Sequence, residues 1–172
     1  MGNSVVVMGV AGCGKSSLAK AVAGAKGWPL VEGDDFHSSA NREKMSRGIA
    51  LTDVDRAGWL AVLGEELQKH PQGVVLTCSA LKKTYRDSLR AAVPQLRFAF
   101  LNIEKAEAQR RVVARAASHF FSASLVDNQF ATLESPVGEP GVLWLKATDA
   151  PDALLSQVMQ WLHTPNLNRR IA

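Results

Sequence analysis

The run Gly9-Val10-Ala11-Gly12-Cys13-Gly14-Lys15-Ser16 places three glycines ahead of a Lys-Ser pair. It satisfies the phosphate-loop pattern G-x-x-x-x-G-K-[ST] in full. Glycines let a backbone bend until successive N–H groups point inward at phosphate oxygens. The start of a helix adds partial positive charge at the same place. Gly9, Gly12, Cys13, Gly14, Lys15, Ser16 and Ser17 are therefore the expected cradle for a nucleotide's phosphates. Lys15 supplies a mobile cation for the outer phosphates, and the Ser16 hydroxyl is a candidate Mg²⁺ ligand. Cys13, among N–H donors and near Lys15, is expected to have a lowered thiol pKa and to react with thiol reagents.

Phosphoryl transfer also needs charge neutralisation at the moving group and a side chain that orients the acceptor hydroxyl. Asp34 lies just beyond an apolar stretch and could take a proton from such a hydroxyl. Glu32, two residues earlier, points the same way along a strand and could act on Mg²⁺ through water. Arg56 falls in the first turn of a helix, where a cation opposes the helix dipole. That placement suits a bidentate grip on a carboxylate or phosphate. Arg111 and Arg115, four apart on a basic helix, share a face and could neutralise the transferring phosphoryl. Local sequence leaves open an acid-bearing turn, a solvated surface arginine and a solvated helix face as alternatives. His119 is not assignable from its neighbours alone.

These residues need a scaffold. Residues 4–8 read as a buried strand ahead of the loop, and 17–23 as the helix after it. Further strands are expected at 28–35, 73–78, 97–102 and 142–145. Helices are expected over 39–47, from a Thr52 cap to about 69, and over 82–93, 106–117, 122–133 and 151–163. Val54, Leu60, Leu63 and Leu67 supply the apolar stripe of the helix that starts at Thr52. Short apolar strands alternating with helices imply parallel strands with right-handed crossovers, both sheet faces covered. Ligands in such sheets sit at the carboxyl ends of the strands.

The chain of 172 residues fits one domain, and its 47% hydrophobic and 21% charged residues suit a globular enzyme. A net charge of +4, dispersed among acids, gives little support for nucleic-acid binding. There is no bilayer-spanning apolar run or signal-peptide pattern. Cys13 and Cys78 make neither a disulfide framework nor a zinc site.

The longer strings are more specific than the loop. Gly33-Asp34-Asp35-Phe36-His37, Asn41-Arg42-Glu43-Lys44-Met45, Asp55-Arg56-Ala57-Gly58-Trp59-Leu60, Cys78-Ser79-Ala80-Leu81-Lys82-Lys83-Thr84-Tyr85-Arg86-Asp87 and Gln129-Phe130-Ala131-Thr132-Leu133-Glu134 together resemble the gluconate kinases, a shikimate kinase-like, nucleoside monophosphate kinase-like group. The resemblance covers residues 5 to about 136. It implies an α/β P-loop NTPase fold: three layers α/β/α, a five-stranded parallel sheet, and a helical lid near 110–135 in a single domain over 1–172. It implies ATP-dependent phosphorylation of D-gluconate to 6-phospho-D-gluconate with Mg²⁺, in a cytoplasmic homodimer without membrane or nucleic-acid partners. By the same resemblance Asp34 is the acceptor-orienting base, Arg56 faces the substrate carboxylate, and Arg111 and Arg115 belong to the lid. His37, Lys44, Ser79, Lys82, His119 and Gln129 join Asp34 and Arg56 around the substrate, and Ser16 and Glu32 serve the metal. The chain departs from the group in three places. Ala11 and Cys13 stand where serine is common, Glu32 where aspartate is common, and the stretch around His119 is one residue longer and lacks a glycine before the histidine. Another sugar acid or a shikimate-like hydroxy acid is the alternative substrate, and a nucleotide-binding switch module the alternative class.

Overall fold

The computed structural model describes residues 3–115 and 123–165. Five parallel strands form one sheet: β1 (Val5–Met8), β2 (Leu30–Glu32), β3 (Val75–Thr77), β4 (Arg97–Asn102) and β5 (Val142–Lys146). Their order is β2-β3-β1-β4-β5. The helices are α1 (Lys15–Lys26), α2 (Ser39–Ser46), α3 (Asp53–Gln68), α4 (Lys83–Ala92), α5 (Lys105–Ala114), α6 (Ala123–Thr132) and α7 (Pro151–His163). A single 3-10 turn, Gly33–Phe36, follows β2.

Alternation along β1 builds the three layers. Val5 and Val7 face a core shared with α1, α5, α6 and α7, through Leu18, Val112, Val126 and Val158. Val6 and Met8 face the opposite core, where Trp59, Leu60, Leu63 and Leu67 of α3 meet Tyr85 and Leu89 of α4. All four β1 residues are wholly buried, as a strand covered on both faces requires. The edge strand β5 departs from that pattern, with Trp144 48% exposed. No helix among the described residues is long and apolar enough to cross a membrane.

Several boundaries differ from the sequence reading for identifiable reasons. The second strand stops at Glu32 rather than running to residue 35. Gly33 turns the chain there, and a Cβ on it would lie 2.1 Å from the Thr77 carbonyl oxygen. Its N–H donates to Thr77 Oγ1 at 3.1 Å, and its carbonyl accepts from Trp59 Nε1 at 2.8 Å. Helix α1 begins at Lys15, so Lys15 and Ser16 lie in its first turn. Val54 is 85% exposed and leaves the apolar stripe of α3 to Trp59, Leu60, Leu63 and Leu67. The basic helix ends at Ala114, with Arg115 as its cap; the expected continuation to 117 and the expected start of the next helix at 122 lie outside the described residues.

The Thr52 cap forms a full capping box: Thr52 accepts from the Asp55 N–H, and the Asp55 carboxylate accepts from the Thr52 N–H at 2.9 Å. The Thr52 N–H, then Lys44, hold the Asp55 pKa down at about 2. This fixes the start of α3 and sets Arg56 as its fourth residue, at the end of the first turn.

Candidate active site

A cleft of about 180 Å³ opens at the carboxyl ends of β1, β2 and β3. Its floor is the phosphate loop, with Gly12, Gly14, Lys15, Ser16 and Ser17 on its surface. Gly12 has φ +82, and a Cβ there would stand 2.8 Å from the Ala108 carbonyl oxygen of α5, so the loop packs where only glycine fits. Lys15 Nζ donates to the Gly9 and Val10 carbonyls, each at 3.1 Å, which brings the ammonium over its own loop. Gly9 sits beneath the cleft rather than on its lining, between Cys13 Sγ and the Leu101 carbonyl.

Ser16 Oγ donates to Glu32 Oε2 at 3.0 Å, and Thr77 Oγ1 donates to the same oxygen at 2.6 Å. A hydroxyl and a carboxylate oxygen thus converge beside the loop. Such hard oxygen donors fit Mg²⁺, which completes its shell with water and phosphate rather than with an all-protein cage.

Asp34 and His37 flank the cleft from the 3-10 turn and its exit. His37 is buried, stacks on Trp59 with centroids 4.2 Å apart, and holds Nε2 3.7 Å from Asp34 Oδ1. Burial lowers its pKa, against the opposing pull of Asp34, so the ring is neutral at pH 7. The strands that lead into the loop and into Asp34 are not adjacent; β3 lies between them, and Ser79, two residues past its end, fills the gap on the cleft wall. The Ser79 carbonyl accepts from the Gly9 N–H at 3.3 Å. The next residue, Ala80, has φ +48, a strained setting for a side-chain-bearing residue. The fully buried Arg86 holds it there, donating to Ala80 O at 2.8 Å and Leu81 O at 3.1 Å.

Arg56 lies on the opposite wall, 8% exposed. Its Nη1 donates to Leu51 O at 2.8 Å and Tyr85 Oη at 3.4 Å. It has no ion-pair partner among the described residues, so a buried guanidinium faces the cleft with its charge unmatched. Arg115 lines the cleft from the end of α5. Arg111 does not line it but spans Gly12 O, at 3.3 Å, and Glu107, at 2.9 Å. Arg110 and then Arg111 hold the Glu107 pKa at about 2.

Four of the expected site residues are engaged within the protein. Lys44 and Lys82 stay off the cleft lining, because carboxylates at the start of α3 hold them: Lys44 on Asp55 at 2.9 Å, Lys82 on Asp53 at 3.0 Å. Gln129 lines the cleft, yet its Oε1 accepts from the Ala11 N–H of the phosphate loop at 2.7 Å. Cys13 turns its thiol into the core, 1% exposed, and its N–H donates to the Val10 carbonyl within the loop at 3.3 Å. Burial raises its pKa despite Lys15, and pushes the Cys78 thiol up to about 12. The reactive thiol read from sequence is thus overturned. An aromatic disulfide reagent is expected to leave both cysteines unmodified in the native protein and to label both after denaturation. Native Cys13 reacting at the rate of a free thiol would contradict this. His119 lies outside the described residues.

Sequence reasoning assigned no role to Trp59, Tyr85 or Arg86. All three are buried, and each reaches the site through a hydrogen bond to a neighbour across the fold, which no local pattern reveals.

The model for a family described as an AAA domain matches residues 5–138. The gluconokinase of Gluconobacter oxydans (strain 621H) is 42% identical over 159 residues, covering 91% of this chain and 89% of its own. The crystal structure of a gluconokinase from Sinorhizobium meliloti 1021 superposes with a TM-score of 0.85 at 42% identity, over 92% of this chain and 90% of its own. The APS kinase of Mycobacterium tuberculosis, at 19% identity and a TM-score of 0.68, shares the fold alone. With relatives at this level along nearly the whole chain and a phosphate loop at the head of the same sheet, the chain belongs to the gluconokinase family.

Proposed function

We infer that this protein transfers the γ-phosphoryl group of ATP to a hydroxyl of D-gluconate, giving 6-phospho-D-gluconate and ADP. The observation that carries this reading is the unmatched, buried Arg56 across one cleft from a complete phosphate loop. A triphosphate needs the loop, and an acceptor with a carboxylate needs the arginine.

In this reading the loop amides and Lys15 hold the nucleotide's phosphates. Ser16 and Glu32 would hold Mg²⁺, which would supply positive charge against the nucleotide's phosphates. Asp34 orients the acceptor hydroxyl and takes its proton as the new O–P bond forms. Arg115, on the cleft wall at the end of α5, and Arg111, held against the phosphate loop through Gly12 O, neutralise the transferring group. Neutral His37 adds no second charge beside Asp34 and stacks a flat wall for the acceptor chain.

A coupled ADP assay over a panel of sugar acids, shikimate and neutral polyols tests the assignment. ADP release is expected to depend on gluconate. Release that ignores the acceptor would favour a nucleotide switch instead. Arg56→Ala is expected to raise the KM for gluconate about a hundredfold, the scale set by losing charged hydrogen bonds in a buried site. An unchanged KM would remove Arg56 from the carboxylate.

A further inference from the structure

Tyr85 is 5% exposed in the first turn of α4, its ring packed in the core shared with α3. Its hydroxyl stands between two residues of opposite charge. It donates to Asp53 Oδ1 and accepts from Arg56 Nη1 at 3.4 Å. The Arg56 Cζ also lies 5.4 Å from the ring centroid, over its negative face. Beyond Asp53 stands Lys82, whose Nζ is 3.0 Å from Oδ1 and 3.1 Å from Oδ2. The result is a hydrogen-bonded chain, Lys82–Asp53–Tyr85–Arg56, joining the starts of α3 and α4.

The polarity of this chain has a single sense. A phenol has one hydrogen to give. Asp53 is an acceptor only, so it draws that hydrogen and leaves the oxygen lone pairs to Arg56. The Asp53 carboxylate is ion-paired with Lys82, while Arg56 acts on it only through space, without direct contact. Arg56 is thereby held at Nη1 by two neutral oxygens, Leu51 O and Tyr85 Oη, and neither spends its charge. Direct contact with Asp53 would instead give Arg56 an internal partner competing with any ligand carboxylate.

We propose that Tyr85 is the positioning residue for Arg56, and that the Lys82–Asp53–Tyr85 chain makes the cleft selective for an acceptor bearing a carboxylate. This rests on the reading of Arg56 as the carboxylate's partner. Lys82 then contributes to acceptor choice without touching the acceptor.

The test is a double-mutant cycle read in the gluconate KM, with wild type, Tyr85→Phe, Arg56→Ala and the double variant. Phenylalanine keeps the ring packing and removes only the hydroxyl. In the wild-type background Tyr85→Phe is expected to raise the gluconate KM about tenfold, the scale of one charged hydrogen bond, with kcat lowered less than about threefold and the ATP KM unmoved. In the Arg56→Ala background the same change is expected to move the gluconate KM less than about twofold, because the residue it positions is gone. Equal effects in both backgrounds, or no effect of Tyr85→Phe alone, would overturn the proposal while leaving Arg56 in place. An Arg56→Ala protein with unchanged gluconate KM would remove the underlying reading as well. Calorimetric titration of gluconate into the ADP-loaded proteins gives the same four comparisons if turnover of a variant is too slow to follow.

Discussion

Replacing Lys15 with alanine is expected to lower turnover by at least about a thousandfold, the scale on which phosphoryl-transfer sites depend on a placed positive charge. Lys15 donates to two carbonyls of its own loop, so its ammonium is held at the phosphate cradle and not in the core. The apolar anchors of α1, Leu18, Ala19 and Val22, are untouched by the change. The melting temperature is therefore expected to stay within about 4 °C of wild type, the upper end of the shift that roughly 1 kcal/mol produces in a domain of this size. The coupled assay and a thermal melt on the same preparation check both halves. A well-folded Lys15→Ala protein with near-normal turnover would sink the kinase reading.

Asp34→Asn is expected to lower kcat by roughly two to four orders of magnitude with little change in the KM for ATP. The amide preserves the shape of the side chain and its place on the turn after β2, but it cannot take a proton. A loss below about threefold with both substrates saturating would remove Asp34 as the base.

The phosphate loop and its flanking strand and helix were legible because a local pattern and a local fold coincide there. The order of the elements was legible because each strand is a short apolar run with a helix after it. What sequence could not reveal was which strands are neighbours. Asp34 reaches the same cleft as the loop although β3 separates β2 from β1, an arrangement that no local pattern reveals. The side-chain partners were similarly hidden. Lys44 and Lys82 read as substrate cations because their string is specific, but pairing with Asp55 and Asp53 depends on how α2 and α4 meet the start of α3. Cys13 illustrates the same limit at one residue. The electrostatics around it were judged rightly, since Lys15 does pull its pKa down, but desolvation outweighs that pull once Sγ faces the core.

The position of β3 between β1 and β2 has a consequence for divergence within this architecture. Neighbouring strands of a sheet are spaced by about 4.8 Å, so the loop after β1 and the turn after β2 are separated by two such steps, close to 10 Å. That interval is a repeat distance of backbone hydrogen bonding, not a property of any loop. It acts as a fixed gauge between the end that holds the phosphate donor and the end that receives the acceptor. Substitutions along α2 and the start of α3 can reshape the acceptor wall without altering that gauge, so substrate preference can drift while the distance travelled by the phosphoryl group stays constant.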